Sequence, residues 1–114
     1  MEQRFRLRSS KAIQQIRQAG KSYASPLVVL MMLPNQEQSI RCAIIASRSV
    51  GGAVQRNRCR RLLRAAMSDF IKDLEKGHDL VLIARQGLLK ATFDQIKNTT
   101  KKLLMESKLL NEPK

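Results

Sequence analysis

The apolar positions along the chain change period four times, and each change predicts an element. Ser9 and Ser10 can cap a short helix running to about Ala19, with Ile13 and Ile16 as its apolar stripe. Gly20 follows as a natural left-handed C′ residue. From Ser22 the pattern turns extended. Leu27 to Leu33 is a continuous apolar strand beginning at Pro26, and Pro34 to Gln38 makes a turn. Ile40 to Ala46 reads as a second strand, antiparallel to the first because the connection is short. Gly51-Gly52 breaks the pattern before a long helix, from about Ala53 to Glu75 and ended by Lys76-Gly77. On its helical wheel Cys59, Leu62, Leu63, Ala66, Met67, Phe70 and Leu74 share one side. Arg56, Asn57, Arg60, Arg61 and Arg64 share another, with Arg58 nearer the flank. Asp79 to Ala84 is a third strand. Thr92 with Gln95 forms a capping box for a last helix to about Leu110, with Phe93, Ile96, Leu103 and Leu110 inward. The order α-β-β-α-β-α predicts a small α+β sandwich, helices packed on a central sheet, with residues 1–114 as one domain.

Charge changes this picture. Arg56 to Arg64 holds five arginines in nine residues, on the first turns of the long helix. Like charges at i,i+4 repel, and cations near a helix N-terminus oppose its dipole. No acidic residue lies between Glu37 and Asp69 to relieve either effect. The whole chain has 114 residues, 43% apolar, with a net charge of +13 and a pI near 10.8. That composition folds, and its charge points to a polyanion. From 38 to 68 every charged residue is an arginine, namely Arg41, Arg48 and the five of the cluster. The C-terminal third uses lysine interspersed with acids, as a solvated helix does. The arginine-only middle is therefore the expected specific surface, because a planar guanidinium grips two phosphate oxygens at once.

Other chemistries find little support. Cys42 and Cys59 fall at apolar positions with no C-x-x-C pair, as reduced buried thiols would. His78 precedes a strand with no nucleophile at a readable spacing. Asp69 and Asp73 read as a solvated face balancing Lys72 and Lys76. Gly51-Gly52 before a helix suits a tight turn, a phosphate cradle on backbone N–H groups, or both. Phe5, Tyr23, Phe70 and Phe93 are too few to build the stacking sheet of an RNA-recognition motif. The N-terminus has no apolar core of a signal peptide, and Leu27 to Leu33 is too short to span a bilayer.

From Arg41 to Arg64 the chain resembles the protein subunit of bacterial ribonuclease P. That family shows a strand ending in Ser-Lys-Lys, a hydrophobic residue and Gly, then Ala-Val and Arg-Asn-Arg on a basic helix. Here the strand ends in Ser47-Arg48-Ser49. Val50, Gly51, Gly52, Ala53 and Val54 follow, then Arg56-Asn57-Arg58, Arg60-Arg61 and Arg64. Gly77, Asp79 and Ala84-Arg85 match the family's later strand, and Arg6-Leu7 with the capped first helix matches its N-terminus. The resemblance implies a cytoplasmic ribonucleoprotein with a left-handed strand-helix-strand crossover. A large catalytic RNA, with Mg²⁺ held mainly by RNA, would remove 5′ leaders from precursor transfer RNA, and the protein would have no catalytic residue. Arg48, Arg56, Asn57, Arg58, Arg60, Arg61 and Arg64 would contact the RNA subunit. A cleft between the first helix and the sheet would take the leader at Ile13, Arg17 and Met31. The family often has aromatics there. Ile13 and Met31 can still pack on a base and Arg17 can stack or grip a phosphate, while Ile13 also fits a core role. Ser49 stands for a usual lysine and Ala65 for a usual acidic or amide residue. A structural RNA-binder such as a ribosomal protein shares the charge and fold class and is the rival reading. A basic membrane-surface protein fits less well, because a sheet competes for the helix's apolar face.

Overall fold

The computed structural model describes residues 1–111. In chain order these form helix α1 (Ser10–Ala19), strands β1 (Lys21–Ala24), β2 (Val28–Pro34) and β3 (Ile40–Ile45), helix α2 (Ala53–Ser68), strand β4 (His78–Ala84) and helix α3 (Phe93–Glu106). Short 3-10 turns lie at Gln3–Phe5, Arg48–Val50, Ile71–Asp73 and Gln86–Lys90. The α+β class is as expected, with one strand more than the sequence suggests. β1 is short and mostly exposed, so its K-S-Y-A carries no apolar run to read.

The sheet order is β1-β2-β4-β3. β2 runs antiparallel to both neighbours, and β3 runs parallel to β4. The two strands joined by the 35–39 turn run antiparallel, as expected, but they are not neighbours, because β4 lies between them. The reason is burial: Leu80, Val81 and Leu82 are all fully buried, so β4 needs cover on both faces and both edges. The turn then spans two strand spacings, about 10 Å, instead of closing a hairpin. It is tied to the start of β4, where Asn35 N–H donates to Gly77 O and Gly77 N–H donates to Ser39 O, each at 2.7 Å.

Side chains alternate across the sheet into two clusters. Val28, Leu30, Met32, Cys42, Leu80 and Leu82 face α2 and α3, meeting Cys59, Leu63, Ala66, Met67, Ile96, Leu103 and Leu104. On the other face Ala43 and Val81 meet Ile16 of α1 and Leu7, with Ile13, Met31, Ile45 and Ile83 half-buried around them. A ten-residue helix covers little of that face, which leaves it partly open.

Three helix ends differ from expectation. α2 stops at Ser68, where the Ser68 hydroxyl donates to Arg64 O and competes with the helical ladder. The chain tightens into the 3-10 turn that buries Ile71 and Leu74. α3 ends at Glu106, because Lys108 adopts φ 63° and the amides of Leu109 and Leu110 both return to Leu104 O. Phe93, expected inward, is 41% exposed at the first position of α3. Gly20 is extended, at φ −73° and ψ 157°, and is no left-handed cap. Glycine is needed there for room: a Cβ would stand 2.6 Å from Ile16 O and 2.7 Å from Met32 O. The Thr92–Gln95 capping box is present as expected.

Arg41 also departs from the uniform arginine surface. Its guanidinium forks onto the buried Asp79, Nε to Oδ1 and Nη2 to Oδ2, each at 2.9 Å, and also meets Glu37 at 3.2 Å. Asn35 donates to the same carboxylate at 2.8 Å. Arg41 is therefore a structural cation locking the β3–β4 register. Asp69 pairs across to Lys97 of α3 and Lys72 to Glu2, so neither partner is the one expected.

Gly20→Ala is expected to lower the unfolding free energy in urea by about 1–3 kcal/mol, since two backbone oxygens must move; an unchanged midpoint would contradict the contact. Cys59→Ser places a hydroxyl at a site of zero exposure with apolar neighbours and is expected to cost about 1–3 kcal/mol. A melting temperature within error of the wild type would sink that packing assignment.

Candidate nucleic-acid interface

The arginine face follows from how α2 is anchored. Cys59, Leu63, Ala66 and Met67 hold one side of the helix on the sheet. At about 100° per residue, Arg56, Arg60 and Arg64 then form one row beside the core, and Asn57 and Arg61 the next row outward. The structure agrees: Arg56, Arg60 and Arg64 are half-buried, while Asn57, Arg58 and Arg61 are exposed. Arg58 lies about 160° around the helix from Arg60, so it faces away from the row. Arg48 is exposed in the 3-10 turn just before the helix. Val54, 79% exposed, extends the outer face with an apolar side chain.

Among the described residues none of these arginines has a carboxylate partner, whereas Arg4 and Arg41 do. Arg60 instead donates to the Asn57 side chain one turn back, holding that pair in a fixed orientation. Arg56 Nε is buried with no hydrogen-bond partner. The Arg64 guanidinium is held below its ordinary pKa, first by partial burial and then by the charges of Arg6 and Arg60. A row of half-desolvated, unneutralised guanidiniums raises the energy of the free protein and binds an anion strongly when one arrives.

Gly51 sits at φ 142°, a conformation that favours glycine, and the Gln55 side chain packs over it. Gly52 is the N-cap of α2, so Gly51-Gly52 forms the tight turn into the helix and leaves the first backbone N–H groups of α2 without a side-chain cap. Ile13 and Met31 both pack, half-buried, against the cluster between α1 and the sheet. Arg17 is exposed one turn further along α1. Ile13 and Met31 thus belong to one cluster, and Arg17 stands on the exposed side of α1.

The fold also brings Arg6, outside the helix, beside Arg64. The N-terminal segment lies along the outer edge of β3 through an isolated parallel bridge from Arg6 to Cys42, with Leu7 N–H donating to Cys42 O at 2.9 Å. This carries Arg6 toward α2. Nothing in local spacing signals it, because the two arginines are far apart in the chain. The thiols offer no rival chemistry. Burial pushes Cys42 up to about 12 and raises Cys59 as well, so both stay protonated. His78 begins β4, its ring Nδ1 3.2 Å from Glu75 O. Among the described residues no helix is long and apolar enough to cross a membrane.

Comparison with known proteins gives consistent matches to one family. The family model described as Ribonuclease P matches residues 1–108. The ribonuclease P protein component of Chloroflexus aurantiacus is 36% identical over 114 residues, covering 99% of this chain and 84% of that protein. That of Bacillus cereus is 31% identical over 100 residues, 87% of each. Among solved structures, the Staphylococcus aureus RNase P protein superposes with a TM-score of 0.84 at 29% identity, covering 94% of this chain and 98% of that one. The RNase P protein from Thermotoga maritima gives 0.79 at 26% identity, with 89% and 96% covered.

Arg64→Met keeps an apolar stem and removes a charge from a like-charged row. Thermal unfolding of the protein alone at low salt is expected to be unchanged or raised by up to about 1 kcal/mol, the gain shrinking as salt is added. A clear loss of stability would make Arg64 a structural residue.

Proposed function

The chain belongs to the bacterial ribonuclease P protein family, as accessory subunit of an endoribonuclease, and from that premise we propose that α2 grips the catalytic RNA while the cleft beneath α1 guides the 5′ leader of precursor transfer RNA. The observation that supports this most is the arginine row on α2, which lacks carboxylate partners among the described residues. Arg56, Arg60 and Arg64 supply a contiguous line of forked donors for phosphates. Asn57, Arg58, Arg61 and Arg48 extend the contact around the helix and onto the preceding turn. Asn57, held by Arg60, has an amide that hydrogen-bonds to phosphate, sugar or base edge.

The cleft is an aliphatic floor with a cationic rim. Ile13 and Met31 offer apolar contact to an unstacked base, and Arg17 stacks on a base or grips a phosphate. Lacking aromatics, this floor discriminates between bases weakly, and its contribution is to hold a single strand in place.

In this reading cleavage is performed by the RNA. The Mg²⁺ ions it needs are held mainly by RNA, and the protein contributes fixed cations that reduce repulsion between two polyanions. That role lowers the Mg²⁺ concentration needed to assemble RNA and substrate. The ribonucleoprotein works in the cytoplasm on precursor transfer RNA.

Reconstitution tests this. The purified chain is added to a bacterial ribonuclease P RNA at low Mg²⁺ and cleavage of a precursor transfer RNA is followed. Leader removal is expected to rise sharply, and Arg58→Ala or Arg60→Ala is expected to weaken assembly about tenfold with the fold intact. RNA binding with no change in cleavage would favour a structural RNA-binder instead.

A further inference from the structure

The line of α2 farthest from the core begins with an apolar side chain. Val54 is 79% exposed, the greatest exposure of any large apolar residue among those described. We propose that Val54 packs on the C–H edge of a ribose in the RNA subunit, beside phosphates gripped by Arg58 and Arg61, and supplies a part of the affinity that salt does not screen. The proposal rests on the RNA-binding reading above and adds to it one residue and one kind of contact.

Nothing in the free protein accounts for valine at this position. Val54 stands about 180° around the helix from Leu63, which is fully buried against the sheet, so it has no core to join. It is the second residue of α2, where an acidic side chain would favour the helix dipole, and the first turn of α2 has none. Its branched Cβ also makes it a poorer helix former than alanine. A lone apolar side chain on a surface is ordinary, and its neighbours are what set this one apart. Arg61 lies about 20° to one side of it around the helix and Arg58 about 40° to the other. Both arginines are exposed, and among the described residues neither has a carboxylate within ion-pair distance.

The mixture matches a nucleic-acid backbone better than it matches a simple polyanion. A backbone alternates phosphate with ribose, so a face that grips phosphates brings riboses against whatever lies beside its arginines. A charged or amide side chain at that point would have to be desolvated or find a partner. Valine needs neither and gains by leaving water against C–H groups. Its side chain is also much shorter than its neighbours, so only a surface that enters between the guanidinium heads can reach it. Contact at Val54 therefore reports a seated RNA, whereas the arginines alone can hold one loosely. Phosphate contacts release counterions and weaken as salt rises, and an apolar contact does not follow that law.

The test measures binding of the full chain to a bacterial ribonuclease P RNA over a series of salt concentrations. Val54→Thr keeps the branched shape and exchanges a methyl for a hydroxyl, Val54→Ala removes both methyls, and Val54→Ile keeps a branched apolar side chain. All three are expected to melt with the wild type, as substitutions at an exposed position do. For Val54→Thr and Val54→Ala the affinity is expected to fall about three- to tenfold at every salt, with the slope of log K against log salt unchanged, while Val54→Ile keeps wild-type affinity. Arg61→Ala serves as the contrast, losing affinity with a slope shallower by about one. Wild-type affinity in Val54→Thr overturns the apolar contact, even where Val54→Ala is weakened. A slope that changes with Val54 overturns it too, because the residue would then act through the arginines. A clearly lowered melting temperature would make Val54 a structural residue and would likewise overturn it. Wild-type chain that fails to bind the RNA overturns the functional reading itself, a result distinct from variants that bind as the wild type does.

Discussion

The central position of β4 is the constraint on which the rest of the architecture hangs. Its residues are buried on both faces, Leu80 and Leu82 toward α2 and α3, Val81 toward α1. A strand with apolar rows on both faces is covered best at the centre of the sheet, where strands on both sides and helices on both faces shield it. Once β4 lies between β2 and β3, its parallel pairing with β3 requires a crossover, and α2 is that crossover. α2 must then lie against the sheet on its Cys59–Met67 side, which fixes where every arginine points. The forked Arg41–Asp79 pair closes the arrangement by binding β3 to β4 at the start of the parallel register.

Two kinds of arginine result. Arg41 faces a buried carboxylate and is neutralised inside the fold, its guanidinium held charged by the hydrogen bonds to Asp79. Removing it would strand that carboxylate, so its role is structural. The arginines of α2 have the opposite character. They are crowded and half-desolvated, and among the described residues no carboxylate faces them. A stability argument alone gives no reason to keep them, and a functional site is where such local conflicts are expected. The contrast between Arg41 and Arg64 therefore separates charge that the fold neutralises from charge that it leaves unneutralised.

Much of this was legible in the sequence, and the failures share one cause. Local periodicity located β2, β3, β4 and the first and last helices, and the capping residues Ser9, Thr92 and Gln95 do what their types imply. The arginine string and its context pointed to the family. Periodicity, however, reports which residues are apolar and not which strand neighbours which. The pairing of β2 with β4 depends on the burial of β4 on both faces, a property visible only when the whole sheet is weighed. Arg41 and Asp79 are distant in sequence, and so are Arg6 and Arg64, so neither juxtaposition leaves a spacing signal. Gly20 misled in an instructive way: glycine at a helix end commonly serves a left-handed cap, but here it serves the close approach of two backbones. α2 ends early because a side-chain hydroxyl competes for Arg64 O, a choice no hydrophobic pattern records.

The partial cover on the other face of the sheet completes the argument. α1 has only ten residues and buries Ile16 alone, so Met31, Ile45 and Ile83 remain half-open beside it. In an isolated domain that is a defect in packing, and a longer helix would repair it. Beside an unneutralised arginine row it becomes a place where one face of a base can leave water while its phosphates meet guanidiniums. An apolar floor alone would bind weakly and without direction, and an arginine row alone would bind any polyanion. Side by side, they favour a strand that presents both a backbone charge and unstacked bases. In the proposed reading that combination distinguishes a leader from the paired stem that follows it, since a duplex keeps its bases stacked and can satisfy only the arginines.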